Sequence, residues 1–473
     1  MKLYEQFSTE IKDKIEHGYY QPGQKLPSIR DMSSNRGVSI STVQEAYRLL
    51  EDTGAVISKP KSGYFVQQQK HPDLLPDISR PEQKPVEVAY WDEVLSLTTT
   101  ESRNGFISFG GGLPDITLKT LKPLQKIHSD LAKRQGLSIF ENAKGNGIKA
   151  LRVQIVRLMQ NSGCYLHPDD IVITTGCQEA LSLSLKAVTN PGDIVAIDSP
   201  SFYGSMQAIQ SNGLKVLEIP THPETGISMT AFEMALEQWP IKAIQIIPSS
   251  NNPLGYVMPD ENKLKLLALA ERYDFAIIED DIFGDLVYKT PRPKTIKSFD
   301  TEGRVLMCSS FSKTVAPGLR VGWVAAGRYG EMLTHLKFIT SLASTTLQQR
   351  ALAEFIEQGY FDKHLRTART QYQRGRDCMI HWVKQYFPDG TKMTFPQGGV
   401  GLWVELPKGI DTLKLNKILL KHNTAIAPGT LFSASEKYKN CLRMNYASVP
   451  NDKIKAAVKI VGEQADLMLM KNK

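Results

Sequence analysis

Five short apolar runs constrain the fold of this chain more than any other feature. Several are separated by longer segments with helical periodicity, such as residues 178–189 and 261–273. Apolar runs without polar alternation are typical of strands buried on both faces of a parallel sheet that helices cover. From about residue 105 onward, the sequence therefore predicts an α/β domain with a largely parallel sheet. The runs are Ile171-Val172-Ile173, Ile194-Val195-Ala196-Ile197, Ala243-Ile244-Gln245-Ile246-Ile247, Phe275-Ala276-Ile277-Ile278 and Val305-Leu306-Met307.

A separate domain is predicted over residues 1–67. Apolar residues recur at helical spacing from Leu3 to Ile15, which indicates an amphipathic helix. Residues 68–100 follow as a linker, because proline at the density found between positions 72 and 85 favours an extended chain. The α/β domain is predicted over residues 101–473. The remaining elements predicted in the first domain are helices from Ser28 to about Asn35 and from Ser39 or Ser41 to about Asp52, and strands over 56–58 and 63–66.

Composition limits the partners and the location of the protein. The net charge of +8 permits an anionic partner but does not require one. The five cysteines lie far apart without a CxxC pair, which argues against a structural zinc site or a disulfide framework. The chain has no run of about 18 apolar residues, and its charged N-terminus has no apolar signal-peptide core. We therefore expect a cytoplasmic protein without a metal site.

The first domain has the pattern of a helix-turn-helix followed by a two-stranded wing. Ser39, Ser41 and Thr42 at the start of a helix are suited to contact phosphates or base edges, and Gln44 and Arg48 project from the same helix. The first 70 residues carry ten Lys or Arg and eight Asp or Glu, so their net charge is only +2. On this pattern alone, DNA binding and docking of another protein both stay open.

The stretch LPSIRDMSSNRGVSISTVQEAYRLLEDTG, followed by KSGYFV, resembles the winged helix-turn-helix of GntR-type transcription regulators. The resemblance covers residues 3–66 and implies binding to double-stranded DNA. Ile40 and Gln44 occupy positions where related proteins often carry Arg, so the operator sequence stays open. The resemblance implies that DNA is faced by Arg30, Ser39, Ser41, Thr42, Gln44, Lys61, Ser62 and Gly63.

Five polar or glycine-containing segments follow the apolar runs or lie in turns near them. In parallel sheets, ligands bind beyond the carboxyl ends of the strands. A glycine in the first segment lets backbone N–H groups approach an anion. An aromatic ring in the second can stack on a flat ligand, and an asparagine in the third can donate to an oxyanion. The segments are TTGCQEAL (174–181), SPSFYG (199–204), NNPLG (251–255), EDD (279–281) and SSFSKTVAPGLRVGW (309–323).

Each segment also has a plain structural interpretation. The first three are compatible with a tight connection, a core aromatic and a turn. The acidic segment is compatible with a solvated strand end or with metal ligands, although no histidine lies near it in the sequence. Lys313, with small hydroxyl residues around it and Arg320 seven residues on, is typical of a Schiff-base lysine beside a phosphate site. A lone lysine is usually a surface charge, so only the ordered set is specific.

In this order, the five segments resemble the fold type I aminotransferases, typified by aspartate aminotransferase, from about Phe109 to Ala447. The whole chain is thus similar to the MocR-type regulators, in which a GntR winged helix is fused to an aminotransferase-like domain. The resemblance implies an N-terminal winged helix-turn-helix plus a fold type I α/β domain dependent on pyridoxal 5'-phosphate. That domain is expected to have a mostly parallel central sheet and a smaller C-terminal α+β subdomain.

The resemblance also implies roles for individual residues toward the cofactor. Lys313 would form the Schiff base, and Asp280 would pair with the protonated ring nitrogen. Asn252 would donate to the phenolic oxygen, and Phe202 would stack on the ring. The phosphate would be held by Gly176, Cys177, Gln178, Ser310, Ser312 and Arg320.

Two residues are implied to face the substrate, and two usual tyrosines are absent. Arg443 would bind a substrate carboxylate bidentately, and the backbone at Gly111 would approach it. Phe283 stands where a tyrosine usually helps to hold the phenolic oxygen. Phe140 or Asn142 occupies the region of the tyrosine that usually reaches the neighbouring subunit's phosphate. Both losses still permit cofactor binding but disfavour efficient turnover.

Two functions from different classes fit these observations. One is a transcription regulator whose large domain senses pyridoxal phosphate, or an amino acid or amine that reacts with it, and so repositions the winged helices. The alternative is a catalytically active aminotransferase that carries a DNA-binding domain. The DNA-reading motif is intact whereas the cofactor site has lost hydroxyls, which favours the regulator. We expect a homodimer that binds an operator and has no membrane partner.

Overall fold

The chain divides into two compact units, residues 1–75 and 76–473. The computed structural model describes residues 3–16, 19–20, 23–52, 55–59, 62–66, 74–88, 106–143 and 145–471. Much of the predicted linker lies outside these ranges. The described part of the linker from Pro76 onward is part of the larger unit. There Val86 forms an antiparallel β-bridge with Val216. The predicted domain boundaries themselves stay a prediction.

The smaller unit consists of three helices and an antiparallel hairpin around an apolar core of its own. Ser28 begins the second helix by accepting the N–H of Asp31, and Gly37, with a φ of 63°, ends it. Tyr47 is buried and donates its hydroxyl to the Pro27 carbonyl at 2.9 Å. The predicted helix-turn-helix and wing are confirmed. The elements are α1 (Leu3–Glu16), α2 (Ile29–Arg36), α3 (Ile40–Asp52), β1 (Val56–Lys59) and β2 (Gly63–Val66).

The larger unit is built around an eight-stranded sheet. The strands, after a short β3 (Ile107–Ser108), are β4 (Ile171–Thr174), β5 (Ile194–Ser199), β6 (Lys215–His222), β7 (Gly226–Ile227), β8 (Ile241–Ile246), β9 (Ala276–Asp280), β10 (Val305–Ser310) and β11 (Gly322–Ala325). Their order in the sheet is β4-β11-β10-β9-β8-β5-β6-β7. The strands from β10 to β6 in that order are parallel, and β11 is antiparallel to both β10 and β4. All five predicted strands belong to this sheet, which confirms the α/β fold.

A smaller antiparallel sheet lies in the C-terminal part of the unit, in the order β12-β13-β16-β15. Its strands are β12 (Lys392–Met393), β13 (Gly401–Glu405), β15 (Ala427–Pro428) and β16 (Cys441–Asn445), and β14 (Thr424–Ala425) pairs with β3 instead. The predicted α+β subdomain is thereby confirmed. The helices of the larger unit are α4 (Lys122–Gln135), α5 (Lys149–Met159), α6 (Cys177–Val188), α7 (Tyr203–Ser211), α8 (Met229–Gln238), α9 (Asp260–Tyr273), α10 (Gly330–Ser341), α11 (Thr346–Glu357), α12 (Tyr360–Tyr386), α13 (Thr412–Leu419) and α14 (Asp452–Lys471).

Three negative expectations can be compared with the described part of the chain. All five cysteines lie there and are free thiols. Among the described residues, no group of three or more His, Cys, Asp or Glu is arranged to hold a metal ion. No described helix is long and apolar enough to cross a membrane.

A buried ion cluster fixes the segment that follows β9. Arg292 donates to Asp281 and, at 2.6 Å, to Asp285. Arg292 and Asp281 are both almost inaccessible to water, so each charge depends on the other for its solvation.

Replacing one partner should therefore cost far more than breaking an exposed ion pair. We expect Arg292→Met to lower the free energy of unfolding of the larger unit by about 3 kcal/mol, because two carboxylates lose their shared partner. Arg272→Met is the control, since the Arg272–Glu233 pair is exposed and worth less than about 1 kcal/mol. All five tryptophans follow residue 76, so denaturation followed by tryptophan fluorescence reports on this unit. Equal effects of the two substitutions would contradict the expectation.

Candidate cofactor and DNA sites

The predicted segments meet at one edge of the large sheet. β9 ends at Asp280, and β10 ends three residues before Lys313. β5 and β8 run parallel to them, and β4 points the same way because β11 is antiparallel both to it and to β10. The loops that carry Gly176, Phe202 and Asn252 therefore begin at the same carboxyl edge, as the sequence predicts.

Two cationic side chains converge beside a glycine at this edge. A Cβ placed on Gly112 would lie 3.9 Å from Lys313 Nζ and 3.7 Å from Arg443 Nη1. Arg443 is only 2% exposed, and its Nη1 donates to Asn252 Oδ1 at 2.9 Å while its Nη2 donates to the Gly110 carbonyl. The convergence leaves a small space bordered by two positive charges, which suits an anionic or carbonyl-containing ligand.

Gly111, the other predicted substrate residue, is held in the same backbone segment. Its carbonyl accepts from Asn445 Nδ2 at 2.8 Å, and the same amide donates to the Leu113 carbonyl at 2.9 Å. Asn445 follows Arg443 by two residues on β16, so one strand positions both the guanidinium and the glycine segment. Asn445 was not among the predicted site residues, although it lies only two positions after Arg443 in the sequence.

Asp280 is a buried acid aimed at this edge. Its Oδ1 accepts from the Ile282 N–H at 3.0 Å and faces Cys177 Sγ at 3.5 Å. Burial raises the pKa of Asp280 to about 7 and raises the pKa of the Cys177 thiol, while the Lys313 charge lowers both. A buried carboxyl with so few donors favours a cationic partner, which a protonated ring nitrogen supplies.

The turn before α6 forms a cradle of backbone groups. Gly176 has a φ of 98°, and a Cβ there would lie 2.8 Å from an Arg320 nitrogen, so only glycine fits. Arg320 also donates to the Thr175 carbonyl at 2.8 Å. α6 begins at Cys177, with its first N–H groups at the same turn. The turn and the arginine together are suited to hold a phosphate.

The other residues predicted at the phosphate site lie around the same turn or on the lysine loop. Gln178 Nε2 donates to the Gly204 carbonyl at 2.7 Å, which ties α6 to the segment carrying Phe202. Ser310 Oγ accepts from the Ser312 N–H at 3.3 Å, and both serines are buried. This hydrogen bond stabilises the loop that leads from β10 to Lys313.

A buried aspartate that the sequence analysis missed connects two of the predicted segments. The Asp198 carboxylate accepts from Ser201 Oγ and Tyr256 Oη, each at 2.9 Å, and from Asn251 Nδ2. Burial raises the pKa of Asp198 to about 6. Since Ser201 precedes Phe202 and Asn251 precedes Asn252, this single acid fixes both neighbours of the expected ring. An acid directly after an otherwise apolar run was the signal available in the sequence.

Phe283 lines a cleft between Arg443 and a glycine-rich turn. The cleft is also bordered by Asn252 and the Gly398-Gly399 pair. Gly399 has a φ of 71°, and a Cβ there would meet Ser250 Oγ at 2.8 Å. Phe283 thus occupies the wall of the site without contributing a hydroxyl. The glycine pair went unnoticed in the sequence analysis, although adjacent glycines are a visible signal.

The region expected to carry the second missing tyrosine is exposed. Phe140 is 78% exposed, nearby Leu137 is 82% exposed, and Asn142 is also exposed. Large apolar side chains presented so openly mark a surface suited to cover by another protein chain.

The described residues that are predicted to face DNA are at least partly exposed. Ser39 caps α3 by accepting the Thr42 N–H at 3.1 Å. Lys61 lies outside the described residues. Exposure ranges from intermediate to full among Arg30, Ser39, Ser41, Thr42, Gln44, Ser62 and Gly63.

This combination defines the class of protein: a winged helix-turn-helix joined to a fold type I aminotransferase domain. The family described as aminotransferase class I and II matches residues 113–461, and that described as bacterial regulatory proteins, gntR family, matches residues 3–66. The chain belongs to both families, and together they make up the MocR-type architecture.

Relatives of both kinds are similar to this chain. The HTH-type transcriptional regulator YjiR of Escherichia coli (strain K12) is 46% identical, with 98% of each chain covered. Aromatic-amino-acid aminotransferase 1 of Thermococcus litoralis is 33% identical over 78% of this chain and 90% of its own. The structure of Pyrococcus horikoshii kynurenine aminotransferase in complex with PMP is 31% identical, has a TM-score of 0.74, and covers 81% of this chain and 96% of its own.

The raised pKa of Asp280 predicts a pH dependence of stability in protein stripped of small molecules. Between about pH 4 and pH 7 the folded chain keeps a proton that the unfolded chain has released, so stability falls as the pH rises through this window. Asp280→Asn should remove this contribution and be more stabilising, relative to the original protein, at pH 7.5 than at pH 4.5. Urea denaturation at the two pH values measures it, with the exposed Asp389→Asn as control. A pH-independent difference would refute the prediction.

Proposed function

We propose that this protein is a DNA-binding transcription regulator whose aminotransferase-like domain binds pyridoxal phosphate and senses the cofactor or an amino compound reacting with it. The proposal is carried by one observation: the match to YjiR spans 98% of the chain, and thus both the winged helix and the α/β unit. As a regulator, the protein acts in the compartment that holds the DNA, which we take to be the cytoplasm.

The residues at the carboxyl edge fit pyridoxal phosphate. Lys313 is assigned the covalent attachment, Asp280 the ring nitrogen, Asn252 the phenolic oxygen and Phe202 the ring face. Two features support this fit: the buried Asp280 carboxyl, whose pKa burial raises to about 7, and the Gly176 turn, where a Cβ would lie 2.8 Å from an Arg320 nitrogen. The phosphate is assigned to Gly176, Cys177, Gln178, Ser310, Ser312 and Arg320.

Pyridoxal phosphate, when bound, supplies an electron sink beside the amino carbon of a bound compound. Arg443 and the Gly111 backbone are assigned the carboxylate of that compound. Arg443 also donates to Asn252 Oδ1, so the guanidinium is held in place beside the residue assigned to the phenolic oxygen. Asp280 is assigned the charge toward the ring nitrogen, and Phe283 supplies an apolar side chain to the cleft without donating a hydrogen bond.

We also propose that the protein is a homodimer. Exposed apolar side chains on two segments of the larger unit support this assignment, namely Leu137 and Phe140 on one and Phe338 and Ile339 on the other. A dimer presents two winged helices, which suits an operator with two half-sites. Light scattering during gel filtration measures the mass, and a monomer that still binds the cofactor would argue against the proposal.

The lysine assignment makes a direct prediction. Protein incubated with pyridoxal phosphate should turn yellow, and borohydride should then leave the cofactor on the peptide that contains Lys313. Lys313→Ala should abolish both signals because it removes the amine assigned to the covalent attachment, whereas the exposed Lys289→Ala should retain them. Absorption spectra and peptide mass spectrometry give the readout. A yellow Lys313→Ala variant would disprove the assignment.

Sensing and catalysis differ in whether products accumulate. We expect an amino acid to change operator affinity without sustained release of the oxo acid. Arg443→Ala should weaken this response by about 10-fold or more, because a charge-assisted hydrogen bond to the carboxylate is lost. Its response to an amine without a carboxylate should match that of the original protein. Turnover well beyond one product per chain would instead favour an aminotransferase.

A further inference from the structure

The exposed face of α3 carries an unusual pair for a DNA-reading helix. Val43, Ala46, Tyr47 and Leu50 form the buried stripe. On the opposite side, Ile40 and Gln44 are exposed and lie one turn apart, with Arg48 one turn further on. Ile40 is 50% exposed. An exposed isoleucine next to an exposed amide at the start of such a helix is suited to a partner with both apolar and hydrogen-bonding groups.

The hydroxyl groups at the start of α3 form the helix cap. Ser39 Oγ accepts the Thr42 N–H and lies 2.9 Å from Ser41 Oγ and 2.7 Å from Thr42 Oγ1. These contacts hold the three hydroxyls against the first turn of the helix. Gln44 takes no part in these contacts, and its exposed amide lies one turn beyond Ile40.

The positive charges on this unit divide into two groups. Arg36 is paired with Glu10, and Lys59 lies over the Phe65 ring at 4.6 Å. Within the described residues, Arg30 and Arg48 pair with no acidic side chain and are exposed. These two arginines are suited to phosphate contacts, which fix the position of a helix on DNA without reading its sequence.

From these contacts we propose that Gln44 and Ile40 specify neighbouring A·T pairs in the operator, with Gln44 binding adenine and Ile40 packing on the methyl group of a thymine. A glutamine amide matches the N7 acceptor and N6 donor that adenine presents in the major groove, and an apolar side chain matches the thymine methyl. This inference rests on the proposed DNA-binding function and gives it a base preference.

Selection of binding sites from random DNA by the full-length protein tests the proposal. The original protein should enrich A·T pairs at two symmetric positions. Gln44→Arg should change the selected adenine to guanine, with a preference of roughly 5- to 100-fold, because arginine pairs with guanine O6 and N7. Ile40→Ala should reduce the thymine preference at the neighbouring position by roughly 3- to 5-fold through loss of apolar contact.

Gln6→Arg is the matched control, since it adds the same charge to exposed α1 and should tighten binding to all sequences equally. Both tested residues are exposed, so thermal unfolding should be unchanged in every variant. The proposal is overturned if Gln44→Arg selects the same bases as the original protein, or if the original protein selects G·C pairs at the responsive position. Failure of the original protein to enrich any sequence would overturn the DNA-binding function itself.

Discussion

The parallel pairing of β9 with β10 is the constraint on which the larger unit depends. In this ladder Asp280 lies opposite Cys308, so the acidic end of one strand and the loop to Lys313 leave the sheet at adjacent points. A slip of one residue would turn the Asp280 side chain to the other face of the sheet. Both strands are buried throughout, so any shift would have to repack the side chains on both faces of the sheet.

Burial then determines the chemistry of this edge. Asp198 and Asp280 are removed from water, and burial raises the pKa of each by stabilising the neutral form. Their surroundings differ, because Asp198 accepts hydrogen bonds from three side chains whereas Asp280 accepts from one N–H and faces a thiol. The first acid is therefore equipped to hold loops in place. The second lies within reach of the Lys313 charge, which favours its ionised form, and is suited to face a cationic group.

Much of this architecture could be predicted from the sequence, but not all of it. The five apolar runs became strands because their side chains are compatible only with a buried environment. β6 was missed, since Lys215, Glu218 and His222 interrupt its apolar pattern, and Glu218 becomes acceptable inside only by accepting hydrogen bonds from Ser199, Ser433 and Ser435. Ser435 lies 217 residues from Glu218 in the sequence, so no local pattern predicts this contact.

By itself, the sequence determined the two kinds of unit and the order of the chemical segments, because local periodicity and ordered motifs are properties of the chain. Only the tertiary structure decided that Arg443 and Lys313 converge at Gly112, and that Asp198 links two loops. The physical reason is that such contacts depend on where strands from distant segments end. They also depend on which polar groups are buried next to one another when the chain folds. Neither is encoded at any single position.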